Sequence, residues 1–130
     1  MNFENEKDYI MRIIHEVIKL LISLVLGKNA NQAEPSPEMK YDLSDSQCNR
    51  IRAMVDRGEM NEAENMLLDK LDCVVKSSIA ELIFFYEYTS QQSDEFLEQH
   101  NYPKEEVLEG LRMLAAKTGF QHMVDLIDES

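Results

Sequence analysis

The sequence predicts an all-α protein, a long hydrophobic N-terminal helix followed by a compact bundle of short helices. Three observations carry that expectation. Apolar residues recur at three- and four-residue steps along the chain, no segment sustains an alternation of period two, and Gly, Pro, Ser and Asn cut the sequence into helix-sized pieces. At 130 residues the chain is the usual size of one domain and long enough to bury a real core.

The first helix is the clearest element. Residues 9–26 read YIMRIIHEVIKLLISLVL, and only Arg12, His15, Glu16, Lys19 and Ser23 are polar. Acidic residues around Asn5 to Asp8 suit its start, and Gly27 followed by Lys28 suits its end. The five polar residues make one thin wet edge, whereas a surface helix normally shows a single apolar stripe. Most of the circumference therefore needs cover, since each buried aliphatic side chain is worth roughly 1.5 to 3 kcal/mol. Ile10, Ile13, Val17, Leu20 and Leu24 form one seam, and Ile14, Ile18, Leu21 and Val25 form a second beside it. Such a helix can meet two neighbours at once. The expectation drawn from it is self-association through Ile10, Ile13, Ile14, Val17, Ile18, Leu21, Leu24 and Val25, a homodimer with a paired or exchanged helix; the competing expectation is burial within the same monomer.

Residues 28–43 contain Pro35 and Pro37 among small polar residues, which forbids a continuous helix and reads as a linker. The expected organisation is thus an assembly helix over 1–27, a linker over 28–43 and a helical bundle over 44–130. Ser44 and Gln47 make a capping box for a second helix carrying Ile51, Met54 and Val55, which stops at Gly58. Asn61 is placed to cap a third helix with Ala63, Met66, Leu67 and Leu71 on one face up to about Asp72. The fourth runs over about Val75 to Gln91; its FFYEY cluster could suggest a strand, but apolar spacing and length favour helix. Ser93 or Asp94 opens a short helix with Phe96 and Leu97. Pro103 at the first helical position opens the next, with Val107, Leu108, Leu111 and Leu114 inward and Gly119 past its end. Phe120 to Ile127 makes the last.

The segment GEMNEAENMLLDKL, Gly58 to Leu71, resembles the turn and second helix of a tetratricopeptide repeat, with Gly58 and Ala63 at that repeat's small-residue spacing. The likeness extends over residues 44–72; Gln47 and Ile51 stand where that repeat has a large aromatic residue and a glycine. A wider resemblance rests on KDYIMRIIHEVIKLLISLVLGK, GEMNEAENMLL and YPKEEVLEGLRMLAAKTG. These segments resemble a family of short, acidic, helical proteins from Clostridium-like Firmicutes that carries only a domain-of-unknown-function label. The resemblance implies an all-helical bacterial protein and supplies no activity, cofactor or catalytic residue.

Charge narrows the partners. The chain holds 25 acidic and 13 basic residues, a net charge of −12, yet within residues 1–28 Lys7, Arg12, Lys19 and Lys28 balance Glu4, Glu6, Asp8 and Glu16. The acidic remainder repels phosphate backbones and anionic head groups, so nucleic acid is not expected and a membrane is disfavoured. A basic peptide or another protein suits it better. Cys48 and Cys73 form no disulfide framework, and MNFENEKD lacks the basic start of a secretory signal, which together suggest a cytoplasmic protein.

No residue set amounts to an active site. His15, His100 and His122 show no i, i+4 pair that would seat a metal, and no glycine elbow surrounds a serine or cysteine. His122 with Asp125 and Glu129 is a weak cation arrangement, and Glu62, Glu64 and Asp69 read as a solvated face. Neither a metal nor a cofactor is expected. Arg50 and Arg57, seven residues apart, could receive an acidic peptide, and His100 with Tyr102 in the HNYP turn is a second weak partner site. The eight methionines suit adaptable apolar surfaces as well as core filling. The function expected from all this is a non-catalytic protein–protein interaction module that self-associates through its first helix; a peripheral membrane protein using that helix is the alternative, and an enzyme with a cleft built from scattered residues the third.

Overall fold

A computed structural model describes residues 3–28 and 37–129, and among these every regular element is a helix. Eight are present: α1 (Phe3–Val25), α2 (Pro37–Tyr41), α3 (Asp45–Asp56), α4 (Met60–Asp69), α5 (Lys76–Ser90), α6 (Asp94–Gln99), α7 (Lys104–Thr118) and α8 (Gln121–Glu129). The protein is all-α. The FFYEY segment is helical throughout.

Local chemistry sets most boundaries. Gly27 takes φ +69° and lets the Lys28 amide reach back to the Ile22 carbonyl at 3.2 Å, closing α1 with a left-handed cap. The capping box of α3 is complete: the Gln47 amide donates to Ser44 Oγ at 3.1 Å, and the Ser44 amide donates to Gln47 Oε1 at 2.9 Å. Ser93 Oγ accepts from the Phe96 amide at 3.1 Å and starts α6. Gly119, at φ +90°, ends α7.

Several boundaries differ from expectation. Asn61 does not cap α4, because the fully buried Met60 is drawn into the core and begins the helix two residues earlier than an Asn61 cap would, with Glu59 at the N-cap and no side-chain cap bond. That helix stops at Asp69, and Asp72 instead holds the following loop, accepting from the Val74 amide at 2.9 Å. Pro103 stands at the N-cap of α7, one position ahead of the first helical residue.

The larger correction concerns 28–43. Residues 29–36, with Pro35, lie outside the described set, but Pro37 opens α2 and Tyr41 and Leu43 belong to the core. Tyr41 donates to Glu87 Oε1 at 2.8 Å while Lys40 Nζ donates to Oε2 at 3.0 Å, so one carboxylate of α5 holds the last two residues of α2. The Tyr41 ring also meets Phe84 edge-on at 5.8 Å. The second half of the expected linker is part of the packed body.

The helix that is wrapped on all sides is α5. Ile79, Ala80, Leu82, Ile83, Phe84, Phe85 and Tyr86 point around its whole circumference and are all buried, with α1, α2, α3, α4 and α7 packed about it. By contrast α1 lies across α5, α7 and α8 and keeps one side in solvent. Arg12, His15, Glu16, Lys19 and Ser23 are all exposed there, as their spacing requires, and Asp8, Tyr9 and Leu24 widen the strip. Residues of α1, α3, α4, α5, α7 and α8 share one continuous core.

Candidate interaction surface

The two seams of α1 face inward. Ile13, Ile14, Val17, Ile18 and Leu21 are buried, Ile10, Leu20 and Val25 half-buried, and only Leu24 among the nine seam residues is exposed, at 39%. Packing against α5, α7 and α8 covers these residues within the chain itself, so what α1 offers outward is its polar strip.

The other expected binding residues are used structurally. Arg50 lies 3.6 Å from Glu81 Oε2 and Lys70 4.0 Å from Oε1, so the two cations flank a carboxylate that is itself only 6% exposed. Such pairing is what lets an acid sit in a core position of α5. Arg57 caps the end of α3 and pairs with Glu59 at 3.0 Å, an exposed contact separate from Arg50. His100 packs against Gly58 and meets the Phe96 ring at a tilt of 55°, with the centroids 4.8 Å apart. Tyr102 has no exposed surface at all; its ring meets Phe85 at 6.0 Å, and its hydroxyl is enclosed near Glu64 without a hydrogen bond of good geometry. Burial, and then the negative charge of Glu64, hold the Tyr102 hydroxyl well above the ordinary phenol range. These two residues shape the α6–α7 turn, and Tyr102 presents nothing to a partner.

Two concavities border α1. One, of about 40 Å³, is lined by Ile10, Asp94, Glu98, Pro103, Lys104 and Glu105, with Lys104 paired to Asp94 at 3.2 Å; it has room for a water or two. The other is an open groove of about 300 Å³ between α1 and α8, lined by Arg12, Ile13, Glu16 and Ile127. Its walls combine two apolar side chains with one cation and one anion a helical turn apart. Arg12 also lies over the Tyr9 ring at 5.2 Å, and Glu16 is 3.9 Å from Lys19. On α8 itself Met123 is 43% and Leu126 56% exposed.

This surface was only half legible. The polar edge of α1 showed in the sequence, whereas the contribution of α8 did not. The signal was there in Met123, Val124, Leu126 and Ile127, whose apolar side chains span more of a helix than one buried seam needs.

Cys48 is buried, and exposed Cys73 donates weakly to the Lys117 carbonyl at 3.6 Å. Among the described residues no cluster of His, Cys, Asp and Glu is arranged to hold a metal ion, and His15 and His122 are exposed on separate helices. No helix among them is long and apolar enough to cross a membrane. Compared with known proteins, residues 4–119 match the model of a family described as a family of unknown function, DUF6483. No curated protein and no solved structure matches the chain.

Proposed function

We propose that this chain, a member of the DUF6483 family of unknown function, is a non-catalytic protein–protein interaction module that self-associates through its N-terminal helix. The observation that carries this reading is the charge balance of the α1 face. Two copies each bearing −12 repel one another over most of their surfaces. Arg12, Glu16 and Lys19 place both signs on the exposed strip of α1, next to the groove floored by Ile13 and Ile127. A two-fold contact there sets Arg12 of each copy against Glu16 of the other, the self-complementarity an isologous interface needs. Exposed Tyr9, Met123 and Leu126 supply apolar area around it.

Membrane attachment through α1 has less to recommend it, because the apolar faces that would enter lipid are spent in the core. The α3–α4 hairpin supports a repeat-like packing surface, with Gly58 at its turn and Ala63 fully buried between helices. We read the protein as bacterial and cytoplasmic, in keeping with its two free thiols.

Chromatography with light scattering over a concentration series tests the self-association. The expected mass approaches twice that of the 15.1 kDa chain and falls toward it in Leu126→Asp, a site exposed enough for the monomer to tolerate. A wild-type chain that stays monomeric at every concentration overturns the reading.

A further inference from the structure

We propose, building on that self-association, that α8 is the exchanged element: in the dimer the α8 of each copy lies on the α1 of the other. Four observations lead there.

The joint is short and open. Gly119, at φ +90°, has nothing within 4 Å of where a Cβ would stand, so the turn between α7 and α8 is open on its side-chain side. Backbone bonds close it, from the Phe120 amide to the Ala115 carbonyl at 2.7 Å and from the Gly119 amide to the Ala115 and Ala116 carbonyls, the latter at 3.2 Å. Glycine can leave this conformation for an extended one without steric cost.

The helix is lightly held. Val124 is the single buried side chain among the described residues of α8, with Phe120 and Ile127 half-buried on the same side. The body it leaves stays packed through α5, around which the remaining core is assembled.

The family match ends at Gly119. All of α8 lies beyond the matched portion, joined to it through Gly119.

The seat is far away in sequence. Ile127 packs beside Arg12, Ile13 and Glu16, so the last helix covers the first. A second copy offers the same seat, and exchange keeps every contact of α8 with α1 and α7, costing only the opened turn and the entropy of association. The charge-balanced strip lets two such seats approach.

The test uses the full chain carrying Cys73→Ser, with Glu16→Cys and Ile127→Cys on the two walls of the groove; Cys48 is buried and stays. A short bis-maleimide is added at a concentration where light scattering reports the dimer, and the product is run on a denaturing gel. Exchange predicts that the double variant gives crosslinked product at twice the chain mass with no crosslinked band at single-chain mass, and that Glu16→Cys alone or Ile127→Cys alone, which report only contact between the two faces, gives much less of it; Arg12→Cys in place of Glu16→Cys repeats the measurement should the first variant fold poorly. Crosslinked product at single-chain mass, from a sample that scatters as a dimer, overturns the exchange and leaves the self-association standing. A wild-type chain monomeric throughout overturns both.

Discussion

The Tyr86 hydroxyl donates to Glu64 Oε2 at 2.6 Å and ties α5 to α4. The same ring fills the space that a Cβ on Gly110 would occupy, so α7 closes directly on it. A hydrogen bond to a partly exposed carboxylate is worth less than one to a buried charge, and Tyr86→Phe should cost about 1 to 2 kcal/mol. Urea unfolding at neutral pH measures it.

Tyr41, Tyr86 and Tyr102 are all held above the ordinary phenol value of 10.0, chiefly by burial and then by Glu87 for Tyr41 and Glu64 for the other two. A raised folded-state value means that the unfolded chain loses these protons first. Their stabilisation is therefore complete below about pH 10 and is lost as the pH rises beyond it, at up to about 1.4 kcal/mol per pH unit for each tyrosine. Tyrosinate absorbance should show these three ionising together with unfolding.

Gly58 and Gly27 both have positive φ, +82° and +69°, but their surroundings differ. A Cβ at Gly58 would overlap the His100 ring, and one at Gly27 would meet nothing. Gly27→Ala should cost about 1 to 2 kcal/mol for backbone strain. Gly58→Ala should cost clearly more, and His100→Ala should recover part of the difference in a double-mutant cycle read by thermal unfolding.

Tyr41→Ala distinguishes a linker from a packed helix. With the side chain 2% exposed and bound to Glu87, the loss should be about 3 to 5 kcal/mol, in the range of other buried aromatic truncations. Limited proteolysis should then cut within Pro37–Leu43. A stability unchanged by the substitution would return this segment to linker status.

Thr89 is fully buried and its hydroxyl has no hydrogen-bond partner. Thr89→Val keeps the shape and removes the unsatisfied group, so it should stabilise the protein by about 1 kcal/mol, seen as a higher urea midpoint at unchanged slope.

What the sequence revealed was whatever is decided within a few residues. Ser44 with Gln47, Ser93 before Phe96, and Gly27 and Gly119 after their helices are local hydrogen-bonding or conformational arrangements, and each stands where the spacing placed it. Pairings over long distances were not readable. Tyr41 and Leu43 looked like loop because two prolines and small polar residues precede them, and only Glu87 and Phe84 on a distant helix explain their burial. The apolar girth of α1 was plain, but which elements cover it depends on where α7 and α8 return. His100 and Tyr102 were marked as surface candidates because a turn sequence says nothing of what lies beneath it; Gly58 and Phe85 do. Of the candidate surface, Arg12 and Glu16 were visible as a wet edge, while Ile127 needed the fold to bring it there.

The covering of α1 by α7 and α8 has a consequence for biosynthesis. On the ribosome α1 emerges first, and the helices that shelter its isoleucines and leucines are made last. At roughly 5 to 20 residues per second, that interval lasts on the order of 5 to 20 s for about a hundred residues. Through that interval the nascent chain carries an apolar segment that α5 can cover only in part, so α1 is more exposed during synthesis than in the finished fold.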